Sequence, residues 1–168
     1  MILINKIKRK IIAVLAYCIE PVIQEIINNR IRVWGDPKRL KIASTASMVN
    51  TLFNTSSGYI TIGDYTFTGH NVSIITGTHK YQSFLEERKT NVPCIGRDIV
   101  IGKGVWIGSN CVILGPATIG DHAVIAAGSV IIPKTNIPPA VIVGGIPGKI
   151  IKKIVKDDSL YFINQSNS

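Results

Sequence analysis

The chain has 168 residues, enough for one domain with a real core and too few for two ordinary ones. Hydrophobic content of 46% against 17% charged residues excludes a disordered chain, and a net charge of +9 points to an anionic partner. Cys18, Cys94 and Cys111 are an odd number at unpaired spacings, which signals neither a disulfide framework nor a zinc site, and the basic clusters lack the aromatic residues that stack on nucleic-acid bases.

Residues 1–30 read as an amphipathic helical segment. Ile4, Ile7, Ile11, Leu15, Cys18 and Val22 fall three or four apart, one face of a helix, and Pro21 is expected to kink or divide it. A basic stretch followed by an apolar run is how a secretory signal begins. The run Ile11 to Ile19 is nine residues, too short to span a bilayer, and no small-residue cleavage site follows. The expectation is a retained helix in a cytoplasmic protein, packed on the first part of the fold or on a neighbouring subunit, or else resting peripherally on the inner face of an anionic membrane through Lys6, Lys8, Arg9 and Lys10.

Residues 31–148 carry a different periodicity. From Ile95 an aliphatic residue recurs every six positions, at Ile101, Ile107, Ile113, Ile119, Ile125, Ile131, Ile137 and Val143. Small or β-branched residues often stand four places later, as in Val105, Cys111, Ala117, Ala123 and Ser129. Neither a helix nor an alternating strand has period six; a hexapeptide β-helix does, with three hexads closing one triangular coil. The same register shows at Ile62, Thr68 and Ile74 and faintly at Ile42 and Met48, implying five to six coils with helix confined to the ends. Ile95 stands 21 positions after Ile74, three more than a coil, and the polar stretch 79–94 loses the pattern; it is expected to leave the prism as an excursion. Residues 149–168 read as a basic strand or helix covering the last coil, with a frayed tail.

The hexads, the ITGTHKY segment at the register break, the run VWIGSNCVILGPATIGDHAVIAAGSVI and the closing IPPAVIVGGIPGK together resemble the hexapeptide-repeat O-acetyltransferases, which include galactoside and maltose acetyltransferases. The segment NTSSGYITIGDYTFTGHNVSIITGTHKY is most similar to the surface-polysaccharide branch. The resemblance covers about residues 42–153 and leaves out the N-terminal helix. It implies a left-handed coil, a homotrimer with active sites between subunits, acetyl-coenzyme A as co-substrate, a saccharide acceptor and no metal. A hydroxyl needs a base to attack a thioester, and His79 matches the family's histidine for that role.

By the same resemblance, Asn50, Asn54, His70 and Trp106 are candidates on the acceptor side, with His70 either orienting His79 or hydrogen-bonding locally. Ser109 and Ala127 would meet the pantetheine arm through their backbone, the N–H of Ser109 also serving the oxyanion, and Lys134, Lys149 and Lys152 would meet phosphates. His122, in the tripeptide GDH of a regular hexad, reads as an exposed corner residue. Two alternatives share the repeat: a non-catalytic scaffold, and a γ-type carbonic anhydrase, whose close histidine pair is not matched by spacings of 9 and 43.

Overall fold

A side chain that returns to the same orientation every six residues can build a three-sided prism, and that is how the chain folds. The computed structural model describes residues 2–155 and, within the first helix, the side chains of Lys8, Lys10, residues 12–23 and Ile26. The contacts expected of Ile4, Ile7 and Ile11, the charges of Lys6 and Arg9 and the tail from 156 to 168 lie outside the described residues.

Helix α1 (Ile2–Asn29) precedes five coils. The first holds β1 (Arg32–Trp34) and β2 (Leu40–Ile42), and the second β3 (Leu52–Asn54), β4 (Ile60–Ile62) and β5 (Phe67–Thr68). The third comprises β6 (Ser73–Ile75), helix α2 (Leu85–Thr90), β7 (Ile99–Ile101) and β8 (Trp106–Ile107). The fourth is β9 (Val112–Leu114), β10 (Ala117–Ile119) and β11 (Val124–Ile125); the fifth is β12 (Val130–Ile131), β13 (Thr135–Ile137) and β14 (Val141–Gly144), followed by β15 (Lys149–Lys153). Strands stack into three parallel faces: β1-β3-β6-β9-β12 (face A), β2-β4-β7-β10-β13 (face B) and β5-β8-β11-β14, with β15 added antiparallel (face C). This is the left-handed parallel β-helix expected, entered and left by non-repeat segments.

The core is the column of hexad residues. Ile101, Ile107, Ile113, Ile119, Ile125, Ile131, Ile137 and Val143 are all buried, as are Ile62, Thr68 and Ile74 from the earlier coils, with Ile42 and Met48 packed against them. Each fully buried isoleucine stabilises the prism by about 2 kcal/mol. The residues four places on fill the corners: Val105, Cys111, Ala117, Ala123, Ser129 and Val141 are buried. Burial pushes the Cys111 thiol above its ordinary pKa, and its Sγ lies 3.1 Å from the Ala126 carbonyl oxygen.

Four expectations need correction. Ile95 does not belong to the column; it is exposed, because the coil resumes only at β7. The surplus at the break is larger than three residues. Ile74 of β6 pairs with Ile113 of β9, 39 residues on where Ile113 and Ile131 are 18 apart, so 21 extra residues leave the prism at a single corner. Helix is not confined to the ends, since this excursion carries α2. Finally, α1 runs unbroken through Pro21, and its described side chains are exposed rather than packed on the prism.

Candidate active site

The chain passes from face A to B to C, so each corner of the prism is a column of turns. The A/B corner collects Asn54 from the end of β3, Gly77 and His79 from the end of β6, Pro116 after β9 and Lys134 after β12. The C/A corner collects Asn50, then His70 and Asn71, then Ser109 and Asn110, then Ala127 and Gly128, then Gly145. His122 stands at the B/C corner, exposed and in the left-handed backbone region.

His79 is placed by the excursion. Gly77 lies so close to Asn54 that a Cβ there would fall 2.6 Å from Asn54 Oδ1, which fixes the chain as it leaves the corner. On the return side, Arg97 Nε donates to the Thr76 carbonyl at 2.7 Å, and Arg39 Nη1 donates to the Cys94 carbonyl at 2.7 Å. Burial lowers the Arg97 guanidinium from its ordinary pKa. Between these anchors α2 begins with Glu86 and Glu87 and ends with Arg88 and Lys89, charges that oppose its dipole at each end. His79 Nδ1 lies 2.9 Å from the Arg88 carbonyl oxygen. A carbonyl oxygen only accepts, so in the neutral ring Nδ1 carries the proton and Nε2 carries the free lone pair.

Arg88 holds that carbonyl in place. Its Nε donates to the Ser83 carbonyl at 2.6 Å, its Nη2 to the Tyr81 carbonyl at 3.1 Å, and the guanidinium sits 5.1 Å from the centre of the Phe84 ring. His79, Leu85, Arg88 and Lys89 line a shallow apolar hollow beside the imidazole. Sequence reasoning did not find Arg88, because the group facing His79 is a main-chain oxygen.

At the C/A corner the coils press closely together. A Cβ on Gly108 would meet Ala127 N at 2.5 Å, and one on Gly69 would meet Ser109 N at 2.7 Å. Ser109 Oγ accepts from His70 N at 3.1 Å, so His70 belongs to this corner and does not touch His79. Asn50 Nδ2 donates to Asn71 Oδ1 at 2.7 Å on the same edge. Among the described residues, the N–H groups of Ser109 and Ala127 donate to no protein acceptor, although they sit in consecutive coils, about 4.8 Å apart in stacking distance. Two free amide donors on one partly exposed edge suit a ligand that is itself a chain of amides.

Trp106 lies on the outer side of face C, stacked on Phe67 with ring centroids 6.0 Å apart. The lysines divide. Lys149 pairs with Gly144 and Lys152 with Ile142, with a register irregularity between Ile142 and Val143. In a regular strand residues three apart point to opposite faces; the extra residue here, Ile151, restores Lys149 and Lys152 to the same outward side. Lys134 sits at the A/B corner instead, its N–H donating to the Pro116 carbonyl at 2.6 Å. One chain thus separates His79, Asn54 and Lys134 on one corner from His70, Asn50, Ser109 and Ala127 on another, with face A between them. The three histidines occupy three different corners of the chain, and among the described residues no three His, Cys, Asp or Glu side chains group as a metal site.

Residues 98–133 match the family described as bacterial transferase hexapeptide (six repeats). The galactoside O-acetyltransferase of Escherichia coli K12 is 37% identical over 103 residues, 61% of this chain and 48% of that protein. A relative from the same strain named for lipopolysaccharide biosynthesis, the O-acetyl transferase WbbJ, is 33% identical over 110 residues, 61% of this chain and 54% of that protein. Among solved structures, the hexapeptide-repeat acetyltransferase VCA0836 of Vibrio cholerae O1 biovar eltor, complexed with acetyl coenzyme A, matches with a TM-score of 0.51 and 28% identity over 79% of this chain and 74% of that one. The chain spans about half the length of the curated relatives it matches. A hexad that folds into this prism, in a sequence that matches these enzymes over most of its repeats, makes the chain similar to the hexapeptide-repeat acetyltransferases.

Proposed function

We propose that the protein is an O-acetyltransferase that moves the acetyl group of acetyl-coenzyme A to a hydroxyl of a saccharide, with His79 as general base. The observation that carries this is the 2.9 Å contact from His79 Nδ1 to the Arg88 carbonyl, which leaves Nε2 basic and turned to the tautomer that a proton abstraction needs. The acceptor oxygen attacks the thioester carbon as Nε2 takes its proton. The tetrahedral oxyanion is met by a backbone donor, for which the free N–H of Ser109 is the candidate. Collapse breaks the C–S bond, and the imidazolium returns its proton to the departing thiolate.

Coenzyme A would lie along the C/A corner, its amides on Ser109 and Ala127 and its phosphates toward Lys149 and Lys152. Since His79 stands at the A/B corner, the reading requires the C/A corner of a second copy to face it, as a closed cyclic trimer provides. Asn54 would then approach the acceptor from the same chain as His79, and Asn50, His70 and Trp106 from the neighbour. Lys134 would join the phosphate end of the cleft across that boundary. Residues 31–148 form the transferase unit in this reading, flanked by segments 1–30 and 149–168. The likeness to proteins named for galactoside and lipopolysaccharide acetylation favours a sugar hydroxyl, in surface-polysaccharide assembly, as acceptor.

Replacing His79 by Ala should lower kcat by about 10²- to 10⁴-fold and leave the Kd for acetyl-coenzyme A nearly unchanged. The measurement is acetyl transfer over a panel of free, nucleotide-linked and lipid-linked saccharides, with binding followed separately by calorimetry. Wild-type turnover in the His79→Ala protein would sink the mechanism.

A further inference from the structure

Helix α1 is the part of the molecule that the transferase reading leaves unused. It is 28 residues long, about 42 Å at the helical rise, and ends before the prism begins. Its described apolar side chains stand in the open: Ile12 is 64% exposed, Leu15 52%, Val22 54% and Ile26 60%. Nothing but apolar side chains and one tyrosine occupies 11 to 19, an exposed apolar surface that water does not favour. Something covers it.

Two features decide what. The first is charge. Lys6, Lys8, Arg9 and Lys10 fall within one and a half turns, no Asp or Glu precedes Glu20, and Lys8 and Lys10 are exposed. The second is the short reach of any seam between copies. Ile4, Ile7, Ile11, Val14 and Cys18 have the alternating three and four spacing of a coiled coil, but the next two seam positions are Pro21 and Glu25. That is about two heptads, short of the three or four that sustain such a seam. Parallel copies would also bring their four cations together at one end, whereas a surface of anionic lipid neutralises them. No helix among the described residues is long and apolar enough to cross a membrane, so the apolar face can lie in a bilayer surface but not span it.

We propose that α1 is an interfacial helix that holds the protein on anionic bilayers, its apolar face in the acyl boundary and its N-terminal cations on lipid headgroups. The inference is independent of the acetyl-transfer reading, because it concerns residues outside the prism. In an oligomer several such helices act together, and the bound lifetime grows accordingly.

The test is flotation of the full chain with vesicles of equimolar phosphatidylcholine and phosphatidylglycerol, beside vesicles of phosphatidylcholine alone. Binding is expected to the anionic vesicles only and to fall with added salt. Lys8→Gln with Lys10→Gln should weaken it about thirtyfold, from about fivefold per charge. Leu15→Gln with Val22→Gln should abolish it while the circular-dichroism spectrum keeps its β signature. The proposal is overturned if the protein floats equally with both vesicles, or with neither. It is also overturned if the Leu15/Val22 variant dissociates an oligomer that never bound lipid, which would make a second copy the cover.

Discussion

His79 and Arg88 show how little of a candidate site's geometry a residue name conveys. The histidine was legible because its neighbours form a recognisable segment at the point where the six-residue period fails. The oxygen that sets its tautomer was not, since any residue supplies a carbonyl; what distinguishes Arg88 is that its side chain ties down residues 81 and 83 and so holds its own backbone. Ile95 was misread for the opposite reason: it keeps the period by coincidence while the chain is still outside the prism. Arg88→Ala frees the excursion around His79, and a misplacement of about 1 Å can cost about 10²-fold in rate. The expected outcome is a kcat lowered by that order with little change in the KM for acetyl-coenzyme A, since no group at the C/A corner depends on Arg88. Steady-state kinetics with the acceptor saturating read the split. A variant that loses acetyl-coenzyme A affinity instead would show that Arg88 acts on the fold as a whole rather than on His79.

Among the elements, the regular strands from β9 to β14 were plain from the hexads, and the early coils were faint for a structural reason. Arg32 pairs with Leu52 and Leu40 with Ile60, each 20 residues apart, so extra turn residues blur the register there. Helix α2 is only six residues, too short for a hydrophobic period; its charge order, acids first and bases last, was the available signal. Strand β15 was foreseen as a basic strand or helix, but not its bulge, which no pattern of residue types announces. That bulge has a measurable meaning: it turns two lysines that would diverge into a pair. Lys149→Gln with Lys152→Gln should weaken coenzyme A more than dephospho-coenzyme A, and the gap should narrow in salt as screening removes the charge term. Calorimetry with both ligands measures it; equal binding by wild type and variant would assign these lysines to solvent.

For the whole molecule, the separation of the two corners makes the transferase reading depend on assembly. The excursion also leaves Tyr81, Phe84 and Leu85 largely bare, an apolar surface next to His79 that a neighbouring subunit would cover. Light scattering should therefore report trimers. A sharper test mixes two inactive proteins: His79→Ala, whose C/A corner is intact, and Ala127→Trp, whose corner is blocked while His79 is intact. Random mixing in a cyclic trimer rebuilds about a quarter of the sites from two intact halves. Activity should reappear on mixing after dissociation and reassembly; its absence would mean that each chain works alone.

A prism built from similar coils has no internal reason to end: among the described residues the last strand of face B presents the parallel edge that earlier strands offered to their successors, whereas on face A the turn after β14 covers Val130, whose N–H donates to the Gly145 carbonyl at 3.1 Å and whose carbonyl accepts from Gly148 N at 2.8 Å. Such an edge is a template for another molecule's first coil, and repeated docking would give a fibre. On face C the chain answers this by turning back on itself after Gly144. Strand β15 runs against the direction of the strands beside it and carries Lys149, Lys152 and Lys153 on an exposed ribbon. An incoming parallel coil would meet the wrong polarity on one side of three and a row of like charges. The reversal thus disfavours end-to-end stacking through face C, so the same five residues whose lysines are proposed to meet a phosphate would also oppose growth of the solenoid into a fibre.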